Sequence, residues 1–83
     1  MHYKELTVWK KSMDMVALVY TYTAEFPKTE QYGLSSQMRR AAVSIPSNIA
    51  EGSRRRGKDG VHLLTIAYGS GAELETQLEI NGR

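Results

Sequence analysis

Apolar residues recur at steps of three and four in three separate segments of the 83-residue chain, and this spacing restricts the fold more than any other feature. Such steps place side chains on one face of an α-helix, whereas a half-buried strand alternates apolar and polar residues. No stretch sustains that alternation over a strand's length, and no Asn-Gly or Asp-Gly turn joins two β-rich runs. The sequence therefore predicts an all-α fold.

The first predicted helix covers about residues 7–25, with Thr7 as its N-cap and Pro27 just beyond its end. It carries two apolar lines that lie about 120° apart around the helix axis. One line comprises Leu6, Trp9, Met13, Val16 and Tyr20, and the other comprises Val8, Met15, Val19 and Tyr22. Two faces need two partners, so either the helix is buried inside one bundle or its second line is an oligomer interface.

The second predicted helix covers residues 35–56, with Ser35 as its N-cap and Gly57 as its C-terminal stop. One face within an arc of about 100° is apolar, and it comprises Leu34, Met38, Ala41, Ala42, Ile45 and Ile49. Pro46 interrupts the backbone hydrogen bonds in the middle of this face, which predicts a kink. Because the apolar face continues past it, we expect one bent helix, in which Ser44, Ser47 and Asn48 bond the carbonyls that the kink frees.

The third predicted helix opens at Asp59 and runs to about residue 80, where Asn81 and Gly82 supply a C-cap signal. A heptad-like line on it comprises Leu64, Ala67, Gly71, Leu74 and Leu78. Small residues at 69–72 predict the close approach of another helix. Three such helices predict a single-domain antiparallel up-down bundle over residues 1–83, with apolar surface left for a fourth helix or another subunit.

Several function classes are disfavoured by what the sequence lacks. The chain has no cysteine, and its two histidines, His2 and His62, stand far apart, so we expect no disulfide, metal or cofactor. No apolar run approaches the about 20 residues that cross a bilayer, and the N-terminus has no signal core. We therefore expect a cytoplasmic protein with no membrane partner and no small-molecule substrate.

Two motifs resemble catalytic or ligand-binding elements only superficially. Residues 52–59, GSRRRGKD, match G-x-x-x-x-G-K, but Asp59 stands where a phosphate-binding loop needs Ser or Thr, and a helix precedes the motif in place of a strand. Glu73, Glu75 and Glu79 have no Glu-x-x-His partner element, which di-metal bundles need. We expect no catalytic residues and no enzymatic activity.

The charge distribution gives the candidate functional site. Residues 38–58 carry six cations against Glu51 alone, a net charge of +5, whereas residues 59–80 carry four acids and no Lys or Arg. The cations are Arg39, Arg40, Arg54, Arg55, Arg56 and Lys58. Arginine pairs with phosphates in a bidentate manner, which predicts a nucleic-acid-binding surface. The alternative is a solvated or subunit-contacting face, because cations also suit a helix C-terminus and Glu51 can pair with Arg55.

Three stretches carry a resemblance to a known family: LTVWKKSMDMV, FPKTEQYGLSSQMRRAAVSIPSNIAEG and YGSGAELETQLEI. The most specific residues are 37–42 and 44–52, and residues 69–78 form an independent match. On these residues the chain resembles the four-helix-bundle family of 23S rRNA intervening sequence proteins, to which the accessory proteins of diversity-generating retroelements are related.

The resemblance implies a bacterial up-down bundle that assembles into homo-oligomers, commonly pentamers, with no established enzymatic activity. The related retroelement proteins bind nucleic acid through a basic surface, and Arg39, Arg40 and the run 54–56 match the basic positions. Members usually continue into a fourth helix, so we expect that helix to be missing here or supplied by another subunit. We predict a homo-oligomer that binds RNA or DNA through the six cations; the alternative is an interaction scaffold whose arginines contact residues 73–79 of a neighbouring subunit.

Overall fold

The chain folds into three long α-helices joined by short turns. The computed structural model describes residues 2–30, 33–55 and 57–81. The helices are α1 (Thr7–Ala24), α2 (Leu34–Arg54) and α3 (Lys58–Asn81), with 3₁₀ turns at Tyr3–Glu5 and Lys28–Glu30. No strand occurs in these ranges, and the predicted all-α class is confirmed.

α2 is the central helix and runs antiparallel to both of the others. Near its start, the Arg39 guanidinium bonds the carbonyl of Tyr20 close to the end of α1. In its middle, the Ser70 hydroxyl donates to Ser44 Oγ at 2.9 Å. No Cα atom of α1 lies within 8 Å of one in α3 among the described residues, so the two outer helices leave a groove between them.

The apolar face of α2 forms the core as the sequence predicts. Met38 and Ala42 are fully buried, and Ala41 and Ile49 are nearly so. Val19 of α1 and Leu74 of α3 complete the core cluster, and Val16, Phe26, Leu34 and Ile45 pack against it. Small alanines at the centre of α2 let both outer helices approach its backbone closely, which fits one helix packed on two sides.

The buried face of α1 lies between the two predicted apolar lines. Its buried residues are Ser12, Val19 and Thr23, which share a sector about 40° wide. The Ser12 hydroxyl donates to the carbonyl of Trp9 and the Thr23 hydroxyl to that of Val19, both at 2.7 Å. These bonds satisfy the hydroxyls within the helix, so both side chains can be buried.

α2 continues through Pro46 without interruption, as the continuity of its apolar face predicts. Pro46 itself is buried. The Ser47 hydroxyl donates to the carbonyl of Val43 at 2.8 Å, and Asn48 Nδ2 donates to the carbonyl of Ser44 at 2.8 Å. The prediction that Ser44, Ser47 and Asn48 bond the freed carbonyls is therefore wrong: the bonds of Ser47 and Asn48 reach the carbonyls of residues 43 and 44, not that of Ala42, which a proline at 46 deprives of its donor, and the Ser44 hydroxyl bonds Asn48 and Ser70.

The predicted N-caps of α1 and α2 are wrong, and α3 begins one residue earlier than predicted. Leu6 and Gly33 are the N-caps of α1 and α2, and neither makes a side-chain capping bond. Thr7 is the first residue of α1, and Ser35 lies buried inside α2, where its hydroxyl has no hydrogen-bond partner among the described residues. α3 begins at Lys58, one residue before the predicted Asp59. At Ser35, which is only 3% exposed, packing overrides the local capping preference.

Candidate nucleic-acid interface

The turn between α2 and α3 brings basic residues to one end of the bundle. α2 ends at Arg54, and Arg55 then takes an extended conformation with φ −104° and ψ 151°. Gly57 has φ +70°, a left-handed conformation that residues with a Cβ rarely adopt. Its carbonyl accepts the N–H of Val61 at 3.2 Å, so Gly57 is the residue immediately before α3, whereas the sequence predicted it as the stop of α2, which already ends at Arg54.

Two glycines let the helices meet tightly beside this turn. A Cβ built on Gly60 would lie 2.6 Å from the carbonyl oxygen of Arg55 and 2.9 Å from that of Gly52. A Cβ on Gly52 would lie 3.0 Å from Cγ of Leu64. The backbone at the start of α3 therefore packs directly on the end of α2. This packing fixes the positions from which the side chains of Arg54 and Lys58 extend into solvent.

The cations of the turn are exposed to solvent. Arg55 Nε donates to Glu51 Oε2 at 3.3 Å, with about half of each side chain exposed, so this i,i+4 pair adds little stability. Arg54 and Lys58 have no ion-pair partner in the part of the chain that the structure describes. Arg56, the third arginine of the predicted run, lies outside the described residues. Arg54, Arg55 and Lys58 form what we call the basic end.

Arg39 has a structural contact that the sequence did not predict. Its Nε donates to Thr23 Oγ1 at 2.7 Å, and its Nη2 donates to the carbonyl of Tyr20 at 3.4 Å. The guanidinium also lies 4.6 Å from the centre of the Tyr20 ring, within the range of a cation–π interaction. Arg39 thus joins α2 to α1, because Thr23 Oγ1 accepts this bond while donating to its own helix.

Arg40 is exposed and stands apart from the basic end. It lines a shallow cleft between α2 and α3 together with Gln37, Ser44, Ser70 and Glu73. Fourteen residues of helix separate it from Arg54, a distance of about 21 Å along the axis. The structure therefore divides the predicted cluster into three parts. The basic end lies at the turn, Arg40 is exposed beside Glu73, and Arg39 contacts α1.

Sequence reasoning did not place three lysines at the same end of the bundle as Arg54 and Lys58. Trp9 of α1 and Ala50 of α2 line one cleft, which places the start of α1 beside the end of α2. Lys4, Lys10 and Lys11 are exposed on this part of the chain. The predicted up-down order of the helices could have indicated this, because the start of the first helix lies beside the end of the second in such a bundle.

Comparison with known families decides the classification. A family model described as 23S rRNA-intervening sequence protein matches residues 4–83. The chain belongs to this family. No curated protein matches this member of the 23S rRNA-intervening sequence family.

The predicted oligomer interface of this family member needs one correction. Val8, Met15 and Tyr22 are exposed on α1, by 57%, 41% and 44%, and their role as an interface stays a prediction. Val19, the fourth predicted interface residue, is only 3% exposed and lies in the core with Met38 and Leu74. Val19 differs from Val8 by about 20° around the helix, which is enough to turn it towards α2.

Metal and membrane sites receive no support from the described residues. No group of three or more His, Asp or Glu side chains is placed to hold a metal ion in residues 2–30, 33–55 and 57–81. Glu73 accepts a hydrogen bond from Gln77 Nε2 at 3.3 Å on its own helix. Over the same ranges, no helix combines the length and the apolar character needed to cross a membrane.

Proposed function

We propose that this 23S rRNA-intervening sequence family member is a non-enzymatic, self-associating helical protein that binds RNA or DNA electrostatically through its basic end. The observation that carries the nucleic-acid proposal is the pair of exposed cations, Arg54 and Lys58, without an ion-pair partner among the described residues. Cations that face solvent at one end of a bundle raise the local positive potential, which attracts the phosphate groups of nucleic acids.

The arrangement supports backbone binding more than base recognition. The cations are on a helix end and a turn, and His62 is the nearest ring residue in sequence, four positions after Lys58. Binding of single-stranded bases usually relies on aromatic side chains that stack on them. We therefore propose phosphate contacts, which depend strongly on salt and little on sequence.

The test is a fluorescence-anisotropy titration of a labelled structured RNA and of a DNA duplex at about 50 and about 200 mM salt. The variant Arg54→Ala/Lys58→Ala removes two charges at the basic end. The matched control Arg40→Ala/Lys28→Ala removes two charges elsewhere, from exposed residues. Alanine preserves helix propensity in both variants.

We expect the basic-end variant to weaken binding at least ten-fold at the lower salt. On the DNA duplex, the slope of log K against log salt should become shallower by about 0.9 for each phosphate that the variant no longer neutralises. The control should bind as the wild type does. Equal weakening in both variants would contradict a local site, because net charge alone would then explain the binding.

A second candidate function is a protein-interaction scaffold with no nucleic-acid binding. The observation that favours it is the exposed apolar surface on the two outer helices, which includes Leu18 at 66% exposure and Tyr68 at 83%. Absence of RNA and DNA binding at about 50 mM salt would contradict the nucleic-acid proposal and favour the scaffold. Charge reversal at Arg54 and Arg55 would then change the native mass of the assembly.

A further inference from the structure

A cleft between α1 and α2 is lined mostly by aromatic and apolar side chains. Its volume is about 320 Å³, which is near the lower limit for pockets that bind small ligands. Met13 and Val43, which line it, are 43% and 41% exposed, so the cleft is open to solvent. Its other lining residues include Tyr3, Trp9, Pro46 and Ala50. We call this site the aromatic cleft.

Three aromatic side chains, two of which line the cleft, contact one another. The rings of Tyr3 and Trp9 meet edge to face, with 5.4 Å between their centres and 71° between their planes. The exposed imidazole of His2 stacks on Tyr3, with 4.6 Å between the centres and 27° between the planes. Tyr3 and Trp9 are half-buried, so both rings remain in contact with solvent. The stacked imidazole shows that the Tyr3 ring accommodates a second flat ring.

α2 connects the aromatic cleft to the basic end. Val43, Ser47, Ala50 and Arg54 follow one another at steps of four, three and four, so they lie on one side of the helix. The first three of them line the cleft. Arg54 lies one turn beyond Ala50, about 6 Å along the helix axis. The exposed side chain of Arg54 therefore extends from the side of α2 on which the cleft opens.

The start of the chain adds cations on the other side of the aromatic cleft. Lys4 follows Tyr3 in the 3₁₀ turn, and Lys10 follows Trp9 in α1. Lys10 precedes Met13 by three residues, a spacing that makes the two side chains neighbours on the helix surface. Both lysines are exposed. The cleft thus has exposed cations beside it on both of the helices that form it.

We propose that the aromatic cleft binds the base of an unpaired nucleotide while the cations beside it bind the flanking phosphates. The inference rests on the nucleic-acid binding proposed above and names the class of ligand, single-stranded RNA or DNA. Proteins that bind single strands combine a basic surface along the backbone with aromatic side chains on which bases stack. Such stacking tolerates every base, so it agrees with binding that depends little on sequence.

The fold supplies the rings that the sequence around the arginines lacks. Tyr3 and Trp9 stand more than forty positions before Arg54, and only the pairing of α1 with α2 brings them to the same end of the bundle. The site therefore depends on the up-down order of the helices and has no continuous motif.

The charges beside the aromatic cleft favour a nucleotide over other occupants. Residues 2–11 hold three lysines and one glutamate, and Glu51, the only acid of α2, pairs with Arg55. A second copy of the chain docked on the same cleft would bring its own cations against these, and like charges brought together oppose binding. An uncharged apolar segment would make no use of the cations. A nucleotide joins a flat ring to a negative charge within one unit, which matches both features of the site.

The first test uses the fluorescence of Trp9, because it is the only tryptophan of the chain. The emission is followed while a single strand of about 12 thymidines is added at about 50 mM salt. The matched control strand has the same sugars and phosphates but no bases. We expect the thymidine strand to quench Trp9 saturably and to bind about ten-fold or more tightly than the abasic strand, which should leave the emission unchanged.

The second test compares two tyrosine variants. Tyr3→Ala removes a ring from the aromatic cleft and lies outside the three long helices, so these should remain intact. Tyr68→Ala is the matched control, because it removes the same ring from α3, where Tyr68 is 83% exposed and does not line the cleft. We expect Tyr3→Ala to weaken binding of the thymidine strand about ten-fold and to leave binding of the abasic strand unchanged. Tyr68→Ala should change neither affinity.

The outcomes separate this inference from the nucleic-acid binding on which it rests. Equal affinity for the two strands with unchanged Trp9 emission, or binding of a DNA duplex alone, overturns the base site and leaves electrostatic binding standing. Absence of binding of both strands and of the duplex overturns both proposals. A Tyr3→Ala protein that keeps the preference for the thymidine strand overturns the base site. So does a Trp9 emission that shifts with protein concentration before any nucleic acid is added, because a second copy would then cover the cleft.

Discussion

At the scale of single residues, the structure distinguishes cations that hold the fold from cations that face solvent. Arg39 and Arg40 are neighbours in sequence, yet Arg39 bonds Thr23 and stacks on Tyr20 while Arg40 is exposed beside Glu73. One residue of helix turns a side chain by about 100°, so adjacent arginines on α2 meet different surroundings. A count of basic residues cannot make that distinction.

This difference predicts unequal stabilities for two matched variants. Arg39→Ala removes a hydrogen bond from a charged donor and a cation–π contact, so we expect the free energy of unfolding to fall by about 2 kcal/mol. Arg40→Ala should change it by less than about 0.5 kcal/mol, as is usual for exposed side chains. Urea unfolding followed by circular dichroism measures both, and equal effects of the two variants would show that Arg39 does not hold α1 on α2.

The same contact predicts coupling between Arg39 and Thr23. Thr23→Val keeps the size of the buried side chain but removes the oxygen that accepts from Arg39 Nε. We expect the double variant Arg39→Ala/Thr23→Val to be more stable than the sum of the single changes implies, by about 1 kcal/mol or more. Additive effects in this double-mutant cycle would contradict a direct interaction.

At the scale of helices, the close packing of α2 on α3 beside the basic end depends on Gly60. Its missing Cβ makes room for the carbonyl oxygens of Arg55 and Gly52. We expect Gly60→Ala to lower the free energy of unfolding by about 1–3 kcal/mol, because backbone atoms in direct contact cannot shift as flexible side chains do. Gly69→Ala, which meets nothing within 4 Å, should instead raise it by up to about 1 kcal/mol.

Thermal and urea unfolding of the two alanine variants check this prediction together. They differ in where the same methyl group is added to the same helix, so helix propensity cancels in the comparison. A Gly60→Ala protein as stable as Gly69→Ala would mean that the turn can open without penalty. The position of Arg54 and Lys58 would then not be fixed by the packing of α3 on α2.

The sequence predicted α2 most accurately because a single strong periodicity governs it. Met38, Ala41, Ala42 and Ile49 are all buried as their spacing predicts. α1 was harder, because its buried face includes Ser12 and Thr23, which look polar in sequence but bond their own helix. Hydropathy alone therefore predicted two apolar lines on α1, one on each side of the face that is buried.

α3 shows why its heptad pattern could not be assigned completely. Ala67 and Leu74 of the predicted line are buried, whereas Leu64 and Leu78 of the same line are 45% and 38% exposed. These positions differ by only about 40–60° around the helix, which spacing in a sequence does not resolve. The candidate site was limited in a similar way: the basic turn was identified, but the contact of Arg39 with α1 depends on how the helices pair.

At the scale of the whole molecule, a central helix with two outer helices leaves one side of the bundle open. α2 is covered by α1 and α3, but the groove between these two retains the apolar residues of both. A small domain buries a smaller fraction of its surface than a large one, so an open apolar side reduces stability further. The self-association proposed above would therefore add to the stability of the folded protomer.

This coupling predicts that stability depends on protein concentration. When folding is linked to the proposed self-association, mass action favours the folded assembly as the concentration rises, so the melting temperature should rise steadily with concentration. Differential scanning fluorimetry and circular dichroism across about two decades of concentration measure it, and a melting temperature that does not change with concentration would contradict the coupling of folding to self-association.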